Sequence, residues 1–419
     1  MKRSFRVFWM LIALPFSFAL LWCNIAIHQT PMPGSSAEQQ QVIGLLNRLK
    51  KGMHTDVPKR MQKLFPEGAA FSYAFYGSAN CNAARWSTTS DRNDRIAEAT
   101  WSLGQLESDQ VKARFPASLP PGHGIFHAGW SALLRGSILK VNGLNGSPAS
   151  EIDAFTVQCD TIAFTFASGR TPYPCSYTNM AWPADATVAM AALALYDGVV
   201  QPRYGEVRRK WIEAVKSTLP ENAGIPHAWQ PEANTALHEM RGSSLALICL
   251  LLPQIDSTFA KDQFPVFAQN FFAERMGVPV VTEFPKGHVG TGNVDSGPLI
   301  FGAGPVATIV GAGACRANAD SFHDLEFSST TDGFGFALGG DDRGYLFGAM
   351  PIADLFIAWC RSMPIRNSEP FARPKFLRFH AWSTLLLILL WSPVLWGAFG
   401  GHRAKTGAWG RSGAGQIPR

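Results

Sequence analysis

Two kinds of hydrophobic pattern alternate along the body of the chain. In six segments nearly every position is apolar or small, which is typical of helices that are buried on all sides. These predicted helices span 71–84, 124–141, 185–196, 242–252, 296–317 and 345–360. Between them, at 91–107, 151–166, 204–219 and 257–276, apolar residues recur every three or four positions. That spacing predicts helices with one buried and one solvated face.

The alternation of fully buried and half-buried helices predicts the fold class. In a double ring, an inner helix touches its neighbours, the outer ring and the bore, whereas an outer helix meets water on one face. A further amphipathic helix is predicted at 37–51, and no strand pattern competes with the helical one. We therefore expect an all-α protein whose residues 30–370 form an (α/α)6 barrel, a toroid of helix pairs.

The lengths of the connections predict where the functional face lies. Short turns at 197–203, 253–256 and 318–320 lead from an inner to an outer helix. The return connections are long and irregular, at 168–184, 220–241, 277–295 and 328–344. Long connections without secondary structure are usually functional in a compact domain. Because all of them return to the start of an inner helix, we expect the site on that one face.

Both ends of the chain carry an apolar segment. Residues 7–27 follow Lys2, Arg3 and Arg6, which predicts a transmembrane anchor within 1–29 that starts in the cytoplasm. A cleaved signal peptide is the alternative, although no small-residue cleavage site is present. Residues 377–400 are predicted as a second transmembrane helix, with a buried terminal helix as the alternative. The body would then be extracytoplasmic, and the Gly-rich basic tail, 401–419, is expected to be disordered.

Charge and cysteine usage exclude several classes of function. The formal net charge of +6 is modest and sits partly in the termini, which argues against nucleic-acid binding. The seven cysteines show no CxxC spacing, so neither a zinc site nor a redox motif is indicated, and Cys159 with Cys175 is the favoured disulfide pair. HExxH, GxSxG and EF-hand patterns are missing, so we expect no metal and no cofactor. The oligomeric state is open.

Three carboxylates are candidate catalytic residues. Asp185 and Asp295 each stand at or near the start of an inner helix, and Glu283 lies in the connection before Asp295. Helix capping is the competing interpretation for the two aspartates. Their position at the mouth of the bore favours proton transfer, because an apolar wall raises the pKa of an acid towards general-acid use.

Aromatic, polar and histidine side chains of the same regions are candidate substrate-binding residues. A lone histidine beside an apolar helix is more often a core residue than a functional one. The candidates are His127, Trp130, Tyr173, Cys175, Tyr177, Trp182, His227 and Asp332.

The segment 172–320 resembles the catalytic domain of the linalool dehydratase/isomerase family. The resemblance rests on an inner helix ending in Tyr196-Asp197, on RKWIEAVKSTL, on GSSLALICLLLPQIDSTFAKDQFPVFAQNFF and on a VTE loop before a small-residue helix. Upstream, GIFHAGWSALLRG is similar to an earlier element of that family. The resemblance implies a six-hairpin (α/α) barrel, a group that also includes many glycosidases.

The chain departs from that family at its catalytic positions. The family places two cysteines around the loop and start of this inner helix, and a histidine on the earlier helix. Here Asp185 stands at the second cysteine, Cys175 or Ser176 lies near the first, and Trp130 takes the place of the histidine. Glu283 fits the glutamate of the later loop. A carboxylate in place of a thiol changes both acidity and nucleophilicity, so the implied fold transfers better than the implied chemistry.

Two hypotheses of function follow. The first is a membrane-anchored enzyme that uses acid/base carboxylates on an uncharged hydroxylated substrate, by glycan hydrolysis or by alcohol dehydration or isomerisation. The second is a non-catalytic envelope component that binds a glycan or a protein. The sequence leaves both open, and it names neither the substrate nor the reaction.

Overall fold

The computed structural model describes residues 3–221, 223–294, 296–339, 343–366 and 370–406. These residues form a largely helical protein with two short β-hairpins. The helices are α1 (Arg3–Ala26), α2 (Ser36–Met53), α3 (Val57–Leu64), α4 (Gly68–Ala83), α5 (Thr89–Leu106), α6 (Asp109–Lys112), α7 (Gly124–Asn142), α8 (Ala149–Ser168), α9 (Pro183–Val199), α10 (Gly205–Thr218), α11 (Gly242–Ile255), α12 (Ser257–Phe271), α13 (Pro305–Ala317), α14 (Ser321–Phe334), α15 (Pro351–Ser362) and α16 (Leu377–Thr406). The strands are β1 (Ala228–Gln230), β2 (Thr235–His238), β3 (Phe272–Arg275) and β4 (Val278–Val281).

Six helices form a closed inner ring. In order around the ring they are α4, α7, α9, α11, α13 and α15, and α15 packs back against α4. Helices α5, α8, α10, α12 and α14 each pack outside the inner helix that precedes them in the chain, and α2 packs outside α15. The described residues therefore have the arrangement of an (α/α)6 barrel, and the predicted helical class is confirmed.

The inner helices pack closely because small residues lie where they meet. A Cβ atom on Gly129 of α7 would lie 3.1 Å from the backbone nitrogen of Ala189 on α9, which is already tighter than most real contacts. Large aromatic side chains fill the centre instead, where the ring of Trp130 meets those of Phe75 and Trp359 at centroid distances of 5.2 and 5.6 Å. The predicted alternation follows from this packing, since only the outer helices keep a solvated face.

Two inner helices begin later than the sequence pattern predicts. Helix α13 starts at Pro305 rather than at 296, because Gly297, Phe301 and Gly302 before it adopt positive φ angles of 67°, 52° and 80°. Backbone in the left-handed region does not continue an α-helix. Helix α15 likewise starts at Pro351 rather than at 345, since residues 346–348 form a separate 3-10 turn. Both segments therefore belong to the connections on the functional face.

The expectation of no strands is wrong at two connections. The predicted helix 257–276 ends at Phe271, and β3 and β4 then form an antiparallel hairpin. Its turn residues, Met276 and Gly277, both have positive φ, as a tight type I′ hairpin turn requires. Strands β1 and β2 form a second antiparallel hairpin before α11.

Helix α14 is longer than its sequence indicates. It extends to Phe334 through Ser328, a position that the pattern assigns to a long return connection. Asp332 is therefore a residue of an outer helix and not of a loop, a placement that bears on its predicted role.

The two terminal helices lie side by side and antiparallel. Residues Val7–Ala26 and Leu377–Leu395 are long and apolar enough to cross a membrane. Polar contacts join them along their length: the indole nitrogen of Trp9 donates to the carbonyl of Leu390 (2.7 Å), and that of Trp391 donates to Ser17 (2.9 Å). Helix α16 continues to Thr406, within the predicted tail, and residues 407–419 lie outside the described part.

The base of this helix pair rests on the barrel. A small apolar cluster joins it to the β3–β4 hairpin, and its buried members are Cys23, Ile27, Val278, Val280, Phe376 and Phe379. The Cys23 thiol also contacts the carbonyl oxygen of Gly333 on α14 at 3.4 Å. The pair is thus anchored to the rim of the barrel where α14 ends.

All seven cysteines lie within the described residues and carry free thiols. The favoured disulfide between Cys159 and Cys175 is therefore wrong. Cys159 is buried in α8, where its side chain fills the core like any small apolar group.

Candidate functional site

A cavity of about 600 Å³ occupies one end of the bore. The first turns of all six inner helices reach it, and most of its wall is apolar, including Phe71, Phe126, Leu247, Val310 and Phe356. Because these helices enter the ring in the same direction, their N-terminal ends converge on the cavity. Each N-terminus carries a partial positive charge, so the arrangement favours negative charge at the cavity wall.

Asp185 stands in this wall, in the first turn of α9. Its side chain is 8% exposed, and its Oδ2 accepts a hydrogen bond of 2.6 Å from the hydroxyl of Ser176. The N-cap position of α9 is Trp182, and that residue makes no side-chain capping bond. Asp185 therefore combines burial, a fixed orientation and access to the cavity.

A second carboxylate, Glu67, lines the same cavity at the start of α4. The phenol of Tyr177 donates a 2.5 Å hydrogen bond to its Oε1. The ring of Tyr177 in turn meets that of Trp182 edge to face, with centroids 5.7 Å apart. Consecutive residues of one loop, Ser176 and Tyr177, thus hold the two carboxylates.

The start of α11 contributes two hydroxyl groups to the cavity wall, and a histidine from the preceding connection packs against them. Ser243 and Ser244 both line the cavity, and so does His227. The Nδ1 atom of His227 lies 2.5 Å from the hydroxyl oxygen of Ser244. The histidine is only 3% exposed and is held rigidly against the helix.

Glu283 lies behind this wall rather than in it. The side chain is fully buried; its Oε1 accepts from the hydroxyl of Ser243 (2.9 Å), and its Oε2 accepts from the backbone nitrogen of Ser243 (3.2 Å). The backbone nitrogen of Gly242 donates to the Glu283 carbonyl at 2.9 Å. Glu283 therefore holds the N-terminus of α11 in place, and it binds the hydroxyl of Ser243, a residue of the cavity wall.

Three of the predicted substrate-binding residues line the cavity, namely Tyr177, Trp182 and His227. Trp130 is buried beneath the wall, where its ring meets that of Phe71 at 5.8 Å. Asp295 lies outside the described residues, and its predicted role stays a prediction.

Four other candidates lie away from the cavity, namely His127, Tyr173, Cys175 and Asp332. His127 is buried beside Phe115, its Nε2 is 3.0 Å from the carbonyl of Leu106, and burial lowers its pKa. Tyr173 is fully buried against Trp229. Cys175 is half-buried, and desolvation raises the pKa of its thiol, which weakens it as a nucleophile at neutral pH.

Asp332, on α14, belongs to a buried cluster of charged side chains. Its carboxylate pairs with Arg361 (2.8 Å) and Arg343 (3.1 Å) and accepts hydrogen bonds from the hydroxyls of Tyr345 (2.7 Å) and Thr30 (2.8 Å). Burial alone raises the pKa of a carboxyl group, but the two guanidinium groups and these bonds hold the pKa of Asp332 below its usual value. The structure therefore does not bring Asp332 to the predicted binding site, because its helix buries it in the barrel wall.

Glu67, Ser243, Ser244 and Asn293 line the cavity, and Ser176 holds Asp185, but none of these five is among the site residues predicted from the sequence. Glu67 directly precedes the inner helix α4, and Asp185 lies in the first turn of the inner helix α9, so a carboxylate at the start of an inner helix was the available signal. Within the described residues no group of three or more His, Cys, Asp or Glu side chains is arranged to hold a metal ion.

No protein-family model and no curated protein sequence matches the chain. Among solved structures, it is similar to an unsaturated glucuronyl hydrolase, responsible for the degradation of glycosaminoglycan, from Bacillus sp. GL1. That match has 10% identity and a TM-score of 0.49, and it covers 78% of this chain and 95% of the other. A second structure, described as UGL with dGlcA-Glc-Rha-Glc, matches with 10% identity, a TM-score of 0.46 and the same coverage. Similarity at this level supports no conclusion about function.

Proposed function

We propose that the protein is a membrane-anchored enzyme that transfers protons to and from an uncharged hydroxylated substrate, by dehydration or isomerisation of an alcohol. The observation that carries this proposal is Asp185, a buried and oriented carboxyl group in the wall of an otherwise largely apolar cavity. Such surroundings hold an apolar substrate body and leave a few polar groups to fix the reacting hydroxyl.

The two carboxyl groups of the cavity supply the two proton positions that the reaction needs. One of them, protonated, donates its proton to the leaving hydroxyl, so that the C–O bond breaks and water departs. The other, ionised, accepts the proton from the neighbouring carbon, and a double bond forms. We assign these positions to Asp185 and Glu67, each held by a hydrogen bond from the same loop.

Glu283 takes a positioning role in this proposal. It reaches the cavity wall through Ser243, whose hydroxyl and backbone nitrogen it binds. Its charge fixes the start of α11 and thereby the wall that carries Ser243 and Ser244. Asp295, in the same connection of the sequence as Glu283, keeps its proposed catalytic role from the sequence.

Glycan cleavage is the second candidate reaction. It is favoured by the aromatic pair Tyr177 and Trp182 beside the carboxylates, because sugar rings pack on aromatic faces and glycosidases use two carboxyl groups. The apolar remainder of the wall favours the alcohol over a sugar chain, so we rank glycan cleavage second.

The distribution of exposed side chains on the two terminal helices supports the proposed membrane anchor. Their outward side chains are apolar and half or more exposed, such as Leu11, Phe18 and Ile388. Several of their polar side chains face the partner helix instead: the Asn24 amide oxygen lies 2.6 Å from Nδ1 of His380, and the hydroxyl of Ser383 donates to it at 3.0 Å. Twenty residues span about 30 Å as a helix, which is the thickness of a bilayer core. With the basic start of the chain in the cytoplasm, the barrel is extracytoplasmic.

The test is turnover by the detergent-solubilised full chain, screened against terpenoid alcohols and envelope glycans. We expect Asp185→Asn to lower turnover by about 10²–10⁴-fold, the usual contribution of a general acid or base, while the melting temperature stays nearly unchanged. The matched control is Asp91→Asn, which changes an exposed aspartate in the first turn of the outer helix α5 and leaves both quantities unchanged. Equal loss of stability and turnover in Asp185→Asn, or no turnover of either class, would refute the proposal in favour of a structural or binding role.

A further inference from the structure

We infer that the face of the barrel that carries the cavity mouth lies against the bilayer, and that the cavity takes its ligand, a membrane-dissolved amphiphile with a hydroxyl group, from the lipid. The inference rests on the proposed membrane anchor and names the substrate class of the proposed site.

The connections on this face expose large apolar side chains. Phe301 is 76% exposed in the segment before α13, and Phe347 is 73% exposed in the turn before α15. Val289 and Ile300, both in the connection before α13, are 98% and 61% exposed. Monomeric soluble proteins seldom gather such side chains on one face, and where they do, the patch marks an interaction surface.

These side chains surround the base of the terminal helix pair. The ring of Phe334, at the end of α14, meets that of Phe379 on α16 with centroids 5.6 Å apart. The next residues lead directly to the exposed turn, since the backbone nitrogen of Leu346 donates to the carbonyl of Gly335 at 2.7 Å. The rings of Phe336 and Phe347 then stack at 6.0 Å.

The segment before α13 is tied to the same base from the other side. The guanidinium Nε of Arg275, on β3, donates to the carbonyl of Phe301 at 2.9 Å. Glu274 beside it pairs with Arg378 at the start of α16 (3.2 Å). The exposed Phe301 and Phe347 thus flank the point from which both apolar helices leave the barrel.

The apolar surface continues into the cavity. The segment that exposes Phe301 also contributes Val294 and Pro298 to the cavity wall, and the connection that exposes Phe347 contributes Met350. A ligand moving from the bilayer core to Asp185 would therefore pass over apolar side chains. The volume of about 600 Å³ fits the body of one small amphiphile rather than a polymer.

The bilayer is the occupant that the geometry favours, because the two helices proposed to enter it begin at the edge of this same face. An exposed Lys286 and the exposed Arg378 lie in or next to the face, where they can meet lipid headgroups. Burial of phenylalanine side chains in hydrocarbon is favourable, so Phe301 and Phe347 hold the face against the bilayer.

The experiment places a fluorophore at single cysteines of the full chain in phosphatidylcholine vesicles that carry doxyl-labelled lipid. The labelled variants are Phe301→Cys and Phe347→Cys, and the control is Val157→Cys, which is 64% exposed in the middle of the outer helix α8, away from the cavity face. The background is Cys175→Ser, because the six other native cysteines are buried. We expect quenching several-fold stronger at 301 and 347 than at 157. Equal quenching at the three positions would overturn the inference.

A second arm tests the ligand. A photoreactive long-chain alcohol dissolved in the same vesicles is expected to label cavity residues such as Phe356 and Val310, and Phe71→Trp, which narrows the cavity, is expected to reduce that labelling. Labelling of these residues by a water-soluble photoreactive saccharide but not by the alcohol would overturn the inference. Alkaline extraction of the membranes separates the two proposals: release of the chain refutes the anchor, whereas retention without quenching at 301 and 347 refutes only the position of the face.

Discussion

Replacing Asp332 by alanine tests whether the charge cluster around this residue stabilises the barrel. The carboxylate compensates two buried guanidinium groups, on Arg361 and Arg343, whose side chains are 5% and 12% exposed. Removing one partner of a buried ion pair usually costs about 3–5 kcal/mol, because the remaining charge stays buried without compensation. With an unfolding entropy of about 2.1 cal/mol/K per residue, a barrel of roughly 340 residues would lose about 4–7 °C of melting temperature.

The assay is thermal unfolding of the solubilised full chain, followed by circular dichroism. The control is Glu206→Ala, which removes an exposed partner of Arg209 on α10 and is expected to leave the melting temperature nearly unchanged, because solvent screens an exposed ion pair. Turnover of Asp332→Ala, measured below its melting temperature, is expected to stay near the wild-type level, since Asp332 lies away from the cavity. A melting temperature no lower than that of Glu206→Ala would refute the reasoning that this cluster holds α14 to α15.

Three further changes test the site and the core. Burial raises the pKa of Asp354 to about 7, above its unfolded value near 3.9. The free energy of unfolding of the wild type therefore falls as the pH rises between these two values, by up to about 1.4 kcal/mol per pH unit. Asp354→Asn is expected to remove this fall, which denaturant titrations at several pH values would measure. Ser176→Ala removes the hydrogen bond that orients Asp185, and we expect about tenfold lower kcat with little change in melting temperature. Glu283→Ala removes the carboxylate that accepts a hydrogen bond from the backbone nitrogen of Ser243 and is expected to lower the free energy of unfolding by about 1–3 kcal/mol. A Glu283→Ala variant as stable as the wild type would contradict the positioning role of Glu283.

The helices that follow one periodic pattern could be predicted from the sequence. Helix α11 begins at Gly242 as the pattern indicates, and α7 begins at Gly124, because burial on all sides leaves an uninterrupted apolar run. The segment before α13 is wrongly predicted as part of that helix, because it is just as apolar and small but contains the left-handed turns at Gly297 and Gly302. Hydrophobicity alone does not distinguish a buried helix from an apolar loop on a functional face.

The site was predictable only in part, for a related reason. Asp185 reaches the cavity because its position at a helix start can be found from the pattern. Asp332 lies in a run of serine and threonine, which have weak helix propensity, and only tertiary packing carries α14 through it. Which carboxylate meets which arginine depends on contacts between distant segments, and no local pattern records them.

Because α2 packs against α15, the beginning and the end of the barrel must meet before the ring exists. During synthesis α2 leaves the ribosome early, while its partner follows only after almost all the remaining chain. Each inner helix that is synthesised before α15 presents an apolar face that its neighbours cannot yet cover. The nascent chain is therefore prone to aggregation during that interval. Assembly of this protein is therefore a late event, completed by the arrival of α15, and a nascent chain that stalls before that helix would leave the toroid open.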